Sequence, residues 1–76
     1  MLKNQDNFTI QYKLTLRERE VLKLILQEKS NQEISDALLI SKRTVETHKK
    51  NTFLKLGVRN NIGLAKIAIK NKLFDI

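Results

Sequence analysis

Residues 30–57 read SNQEISDALLISKRTVETHKKNTFLKLG, and this stretch decides the fold. Ser30 or Asn31 opens a helix, Glu33 is spaced to bond back to the cap, and Ile34, Ala37 and Leu38 fall on one face. The pattern predicts a short helix over 31–38. Leu39-Ile40-Ser41 interrupts it, and Ser41 is a good N-cap whose oxygen can take the amide of Arg43 or Thr44. A longer helix follows over 42–56, with Val45, His48, Thr52 and Leu56 turned inward and Gly57 as the left-handed residue that ends it. Two helices joined by about three residues, the second longer and basic, form a helix-turn-helix, whose second helix enters the major groove of DNA. Such a helix must offer polar side chains to base edges, positive charge to phosphates and apolar residues to the helices behind it. Arg43, Glu46, Thr47 and Lys50 project outward here, opposite Val45, Thr52 and Leu56.

Upstream, Thr15 followed by Glu18 has the form of a capping box, and Val21, Leu22, Ile25 and Leu26 continue at helical spacing, which predicts a helix over 16–28. Downstream, Asn60 caps a last helix over 61–71. There is no proline and no strand signal, so the expected fold is all-α, a four-helix bundle containing a helix-turn-helix. Residues 1–13 show no clear period and read as an N-terminal arm or linker remnant; residues 14–76 form the domain.

Fifteen Lys and Arg against eight Asp and Glu leave a formal charge of +7, which favours a polyanionic partner through counterion release. The charge is uneven: between Lys42 and Lys55 stand five basic residues (Lys42, Arg43, Lys49, Lys50, Lys55) and one acid, Glu46. Cysteine is absent, which removes disulfides and thiolate chemistry. No apolar run approaches the roughly 20 residues of a membrane span, and MLKNQDNF is too polar for a signal peptide core. The expectation is a cytoplasmic protein with no membrane partner, no cofactor and no small-molecule ligand. His48 is the lone histidine, with no second ligand or base at useful spacing, and nothing assembles a nucleophile, base and oxyanion donors. Neither a metal site nor an enzyme is expected.

The strings LTLREREVLKLI, SNQEIS, ISKRTVETHKKN and KLGVRNN, in this order and spacing, resemble the LuxR/GerE-type DNA-binding domain, found alone or at the C-terminus of bacterial response regulators. The resemblance runs from about Leu14 to Leu73. It implies that Glu46, Thr47 and Lys50 read bases and that Asn31, Ser41, Arg43, Thr44, Lys49, Asn51 and Lys55 contact the DNA backbone. The chemistry agrees: Lys50 can donate to guanine O6 or N7, Glu46 can accept from cytosine N4, and the Thr47 methyl can touch a thymine methyl. For Glu46 the alternative is an i, i+4 ion pair that only positions Lys50. The resemblance also places His48 on the packed side of the recognition helix, bonded to a neighbour. Glu18, Glu20 and Glu33 read as helix-surface charges, Glu18 and Glu33 also serving caps and Glu20 pairing with a basic residue of another helix.

Some positions depart from the family pattern. Glu28 stands where glycine usually ends the first helix, so the helix either lacks a left-handed turn or forces a non-glycine residue into one. Thr52 replaces a branched aliphatic and should soften the core, with Phe53 and Leu54 beside it to compensate. Asn61 and Gly63 replace residues that are often charged.

In the last helix, Ile62, Leu64, Ala65, Ile67, Ala68, Ile69 and Leu73 span roughly 240° of the wheel, where one buried face needs little more than about 100°. The resemblance implies a two-fold contact between DNA-bound copies through this helix, assigned to Ile62, Lys66, Ile67, Ile69 and Lys70. The alternative is a wrap by the N-terminal arm, with Phe8, Ile10 and Tyr12 covering the surplus. The leading functional expectation is a sequence-specific transcription regulator that binds double-stranded DNA as a homodimer, with RNA polymerase a further candidate partner. Two other readings stand beside it: a sigma-factor-like promoter-recognition domain, and a protein-interaction module that has lost DNA binding.

Overall fold

The fold comes from a computed structural model and is described for residues 11–71. Four helices follow in order, α1 (Leu16–Leu26), α2 (Asn31–Leu38), α3 (Lys42–Leu56) and α4 (Asn61–Asn71), with no strand among the described residues. This is the all-α architecture expected from the sequence.

Each helix starts where a short polar side chain satisfies its free amides. Thr15 Oγ1 accepts from the Glu18 amide at 3.0 Å while the Glu18 carboxylate accepts from the Thr15 amide at 3.0 Å, a reciprocal capping box. Ser30 and Glu33 repeat it at the head of α2. Ser41 Oγ accepts from the Thr44 amide at 3.0 Å, and Asn60 Oδ1 from the Gly63 amide at 3.0 Å.

Helix α1 ends two residues earlier than the spacing suggests, because Gln27 caps it and Glu28 turns left-handed with φ 63°. The Lys29 amide then reaches the Leu24 carbonyl and the Glu28 amide the Ile25 carbonyl, a Schellman closure. Gly57 does the same for α3 at φ 71°, with the Val58 amide on the Phe53 carbonyl. Of the two possibilities for Glu28, a non-glycine residue held in the left-handed region is the one realised, at a backbone cost of about 1–2 kcal/mol.

The core is built from Leu14, Val21, Leu22 and Ile25 on α1's side, Ile34 from α2, Val45 and Leu56 from α3, and Leu64 and Ala68 from α4. Each aliphatic side chain fully withdrawn from water contributes roughly 1.5–3 kcal/mol, so this single cluster organises all four helices. Tyr12 packs against it and Gln11 and Tyr12 have helical backbone, so ordered structure begins inside the segment expected to be an arm. Phe8 and Ile10, the other members of the proposed wrap, lie outside the described residues, as does Leu73.

Two details of the expected core change, at Ala37 and at Leu54. Ala37 is exposed, and Ser35 is buried in its place because its hydroxyl donates to the Ile40 carbonyl beneath the turn. Thr52 is fully buried and its hydroxyl has no partner among the described residues, an unmet bond that costs about 1–3 kcal/mol, in line with the softening expected there. Phe53 packs against the core beside it, but Leu54 faces solvent and compensates nothing.

Candidate nucleic-acid interface

The helix-turn-helix is locked from beneath. Leu39 takes the left-handed conformation at φ 57°, and the Leu39 and Ile40 amides both converge on the Ser35 carbonyl. With Ser35 also bonded to Ile40, the three-residue turn is tied to α2 at both ends before Ser41 starts α3. Ile34 and Val45 are fully buried on either side of the turn and fix how α3 lies across α2. The outward face of α3 is thereby a rigid surface, which suits groups that must meet base edges in register.

That face carries Arg43, Glu46, Thr47, Lys50 and Leu54, all exposed, opposite the buried Val45, Thr52 and Leu56. The Thr47 hydroxyl donates to the Arg43 carbonyl at 3.1 Å, one turn back on its own helix. This uses the polar end of Thr47 and leaves its methyl as the group it can offer a partner. Glu46 and Lys50 form no ion pair, so the positioning role once open for Glu46 has no bond to support it. At the head of the helix Ser41 also donates to Thr44 Oγ1 at 2.9 Å, bringing two of the expected backbone contacts together.

Two lysines of α3, Lys49 and Lys55, are engaged within the chain. Lys49 donates to Asn31 Oδ1 at 3.2 Å, which joins two expected backbone contacts from different helices and orients the Asn31 amide. Lys55 reaches back to α1, donating to Glu18 Oε1 at 2.7 Å and to the Lys13 carbonyl at 2.9 Å. Glu18 is only 4% exposed and is no surface charge. Burial alone would raise its carboxyl, but the Lys55 ammonium and the bonds from Thr15 outweigh that and hold it below its ordinary value. This engagement counts against Lys55 as a phosphate contact, since leaving Glu18 would strand a buried carboxylate.

The match to known proteins follows the same segments. The family model described as bacterial regulatory proteins, luxR family, matches residues 12–68. The chain belongs to the LuxR family. Among its relatives is an uncharacterized response regulatory protein of Escherichia coli K12, YgeK, 41% identical over 68 residues that cover 90% of this chain and 46% of that protein. The oxygen regulatory protein NreC of Staphylococcus aureus JH9 is 41% identical over 75 residues, 95% of this chain and 35% of its own length. The transcriptional regulatory protein MctR of Rhizobium johnstonii is 46% identical over 56 residues, 74% of this chain and 26% of its own length. The chain thus spans less than half the length of each of these relatives. No solved structure matches it.

Membership in the LuxR family makes this a DNA-binding helix-turn-helix domain of transcription regulators, a class of regulatory proteins and not of enzymes. No helix among the described residues is long and apolar enough to cross a membrane, and no group of His, Cys, Asp and Glu among them could hold a metal. His48 is half-buried on α3, and no hydrogen bond ties it to a described neighbour, contrary to the bond expected. Glu20 pairs with Arg17 on its own helix at 3.2 Å, not with another helix.

On α4 of this LuxR-family domain the apolar surplus is real: Ile62 is 69% and Ile69 64% exposed, one on each side of exposed Lys66 along the same face, with Lys70 beside them. Ile67 differs from them because it packs against the core. Two features escaped the sequence reading. Leu54, 70% exposed, continues the outward stripe of Arg43, Thr47 and Lys50, and its i+4 and i+7 spacing from Lys50 and Thr47 was the available signal. The Glu18–Lys55 clamp joins residues 37 positions apart and had no local signal.

Proposed function

We propose that this domain binds double-stranded DNA sequence-specifically as a dimer, laying α3 in the major groove of each half-site. The observation that carries this is the exposed outward face of α3, Arg43, Glu46, Thr47 and Lys50, held over a buried floor of Val45, Thr52 and Leu56. Base reading falls to Glu46, Thr47 and Lys50. Backbone contacts fall to Ser41, Arg43, Thr44 and Asn51, with Asn31 and Lys49 acting as a bonded pair. Lys55 is left to the clamp on Glu18. Ile62, Ile69, Lys66 and Lys70 supply the two-fold contact, and Ile67 contributes from its edge.

Selection of bound duplexes from a random library at two salt concentrations tests this. A two-fold symmetric motif that persists at the higher salt is expected, and replacing both Thr47 and Lys50 by alanine should erase the motif while weak, salt-sensitive binding remains. Unchanged preference in that variant would refute base reading by α3. The symmetry is tested separately by Ile62→Lys with Ile69→Lys, which should leave a single copy on a full site in analytical ultracentrifugation at concentrations where wild type binds as two. A variant that still assembles as wild type would move the dimer contact elsewhere.

A further inference from the structure

Glu46 is the lone acid of α3, with Lys42 and Arg43 one turn before it and Lys49 and Lys50 one turn after. At this spacing an exposed carboxylate ordinarily finds an ammonium. Here it finds none: Lys49 turns to Asn31, Lys50 projects outward, and Glu46 enters no ion pair or hydrogen bond among the described residues. Its oxygens are therefore open on the face that the proposed function turns toward DNA. A carboxylate carried toward phosphates is repelled by them, so it lowers affinity for every duplex unless a hydrogen-bond donor meets it.

The major groove offers such donors only as exocyclic amines, N4 of cytosine and N6 of adenine; guanine and thymine present acceptors. In a base pair one amine hydrogen is used in pairing and the other faces the groove. Methylation that preserves pairing puts the methyl where that second hydrogen was, which removes the donor and sets an apolar group against the carboxylate.

We propose that Glu46 makes this domain a reader of one unmodified exocyclic amine in each half-site, so that methylation of that cytosine N4 or adenine N6 switches binding off. The inference rests on the groove-binding role proposed above. It makes operator recognition sensitive to a chemical mark on the DNA as well as to base order.

The test uses the whole chain and a duplex recovered by the selection experiment. Comparing motifs selected by wild type and by Glu46→Ala identifies the position at which preference is lost, and whether the base there is cytosine or adenine. That duplex is then made with N4-methylcytosine or N6-methyladenine at this position, or with the same modification at a position outside the motif. Wild type should lose roughly ten- to hundredfold in affinity for the first and nothing for the second, the worth of one good base contact. Glu46→Ala should bind modified and unmodified duplexes alike. Equal loss in wild type and variant, no loss in wild type, or a preference for guanine or thymine on the contacted strand overturns the inference while leaving specific DNA reading intact. Recovery of no motif at all overturns both. Glu46 is exposed and supports no other residue, and a circular dichroism spectrum of Glu46→Ala identical to wild type separates loss of reading from loss of fold.

Discussion

Helices α1 and α2 are assembled from the same local parts. Each begins with a hydroxyl and a glutamate in a reciprocal box, Thr15 with Glu18 at 3.0 and 3.0 Å and Ser30 with Glu33 at 2.8 and 3.1 Å. Each leaves through a non-glycine left-handed residue, Glu28 at φ 63° and Leu39 at φ 57°. Yet Glu18 is buried and held by Lys55 of the recognition helix, whereas Glu33 is exposed and serves only its own cap. The difference comes from what reaches across from α3. The same four-residue motif is a local stop signal in one helix and a tertiary anchor for the DNA-reading helix in the other.

Removing the two glutamates should separate these roles, and the largest effect belongs to Glu18. Glu18→Ala deletes a cap bond and leaves the Lys55 ammonium without its carboxylate. Breaking a fully buried pair costs about 3–5 kcal/mol, but Lys55 is about one-third exposed and can partly rehydrate, so a loss of about 2 kcal/mol is expected. For a domain of this size that lowers Tm by roughly 10 °C. A fall no larger than that of Glu33→Ala in the same thermal melt would mean that Glu18 is only a cap and that the two helices are equivalent after all.

The exits are compared by Glu28→Gly. Relief of the left-handed strain contributes about 1–2 kcal/mol, and the greater freedom of glycine in the unfolded chain takes back about 0.4–1. A net gain of about 0.5–1 kcal/mol in urea unfolding is expected, with α1 unchanged in length because the Schellman bonds remain. A loss would show that the Glu28 side chain contributes a contact that outweighs its backbone strain.

Much of this arrangement was legible because caps are local. Ser30, Ser41, Gly57 and Asn60 are short-range signals, and the helices they bound, 31–38, 42–56 and 61–71, came out as read. The outward face of α3 was legible for the same reason, since helical period alone separates Glu46, Thr47 and Lys50 from Val45 and Thr52. The errors lie where a polar group is settled by something distant or unseen. Ala37 reads as core by its apolarity, yet Ser35 is the buried residue because the Ile40 carbonyl accepts from its hydroxyl. The tie from Lys55 to Glu18 was not legible because its partner stands 37 residues away. Ile67 and Ile69 are alike in the sequence, and only packing shows that Ile67 lies partly against the core while Ile69 is exposed.

The smallest and sharpest separation between the two boxes is electrostatic. Bonds from Ser30 hold the Glu33 carboxyl below its ordinary value, and Lys55 and Thr15 do the same for Glu18 against the opposing effect of burial. A carboxyl with a folded pKa below its unfolded value, about 4.3 for Glu, contributes stability that is complete above that value and lost as pH falls through the folded pKa. Both glutamates therefore tilt the stability curve in the same direction and in the same acid window. Glutamine at either position keeps a neutral oxygen for the cap amide while removing the charge, so the cap survives and only the linkage changes. Urea unfolding followed from neutral pH to below pH 4 should show the acid loss markedly flattened in Glu18→Gln, with lower stability at neutral pH because Lys55 has lost its countercharge. Glu33→Gln should flatten the acid loss much less, since its charge meets the exposed Ser30 cap and Lys29 and no buried partner. Equal flattening in both variants would place the whole electrostatic effect in the capping boxes and leave Lys55 with no part in anchoring α3.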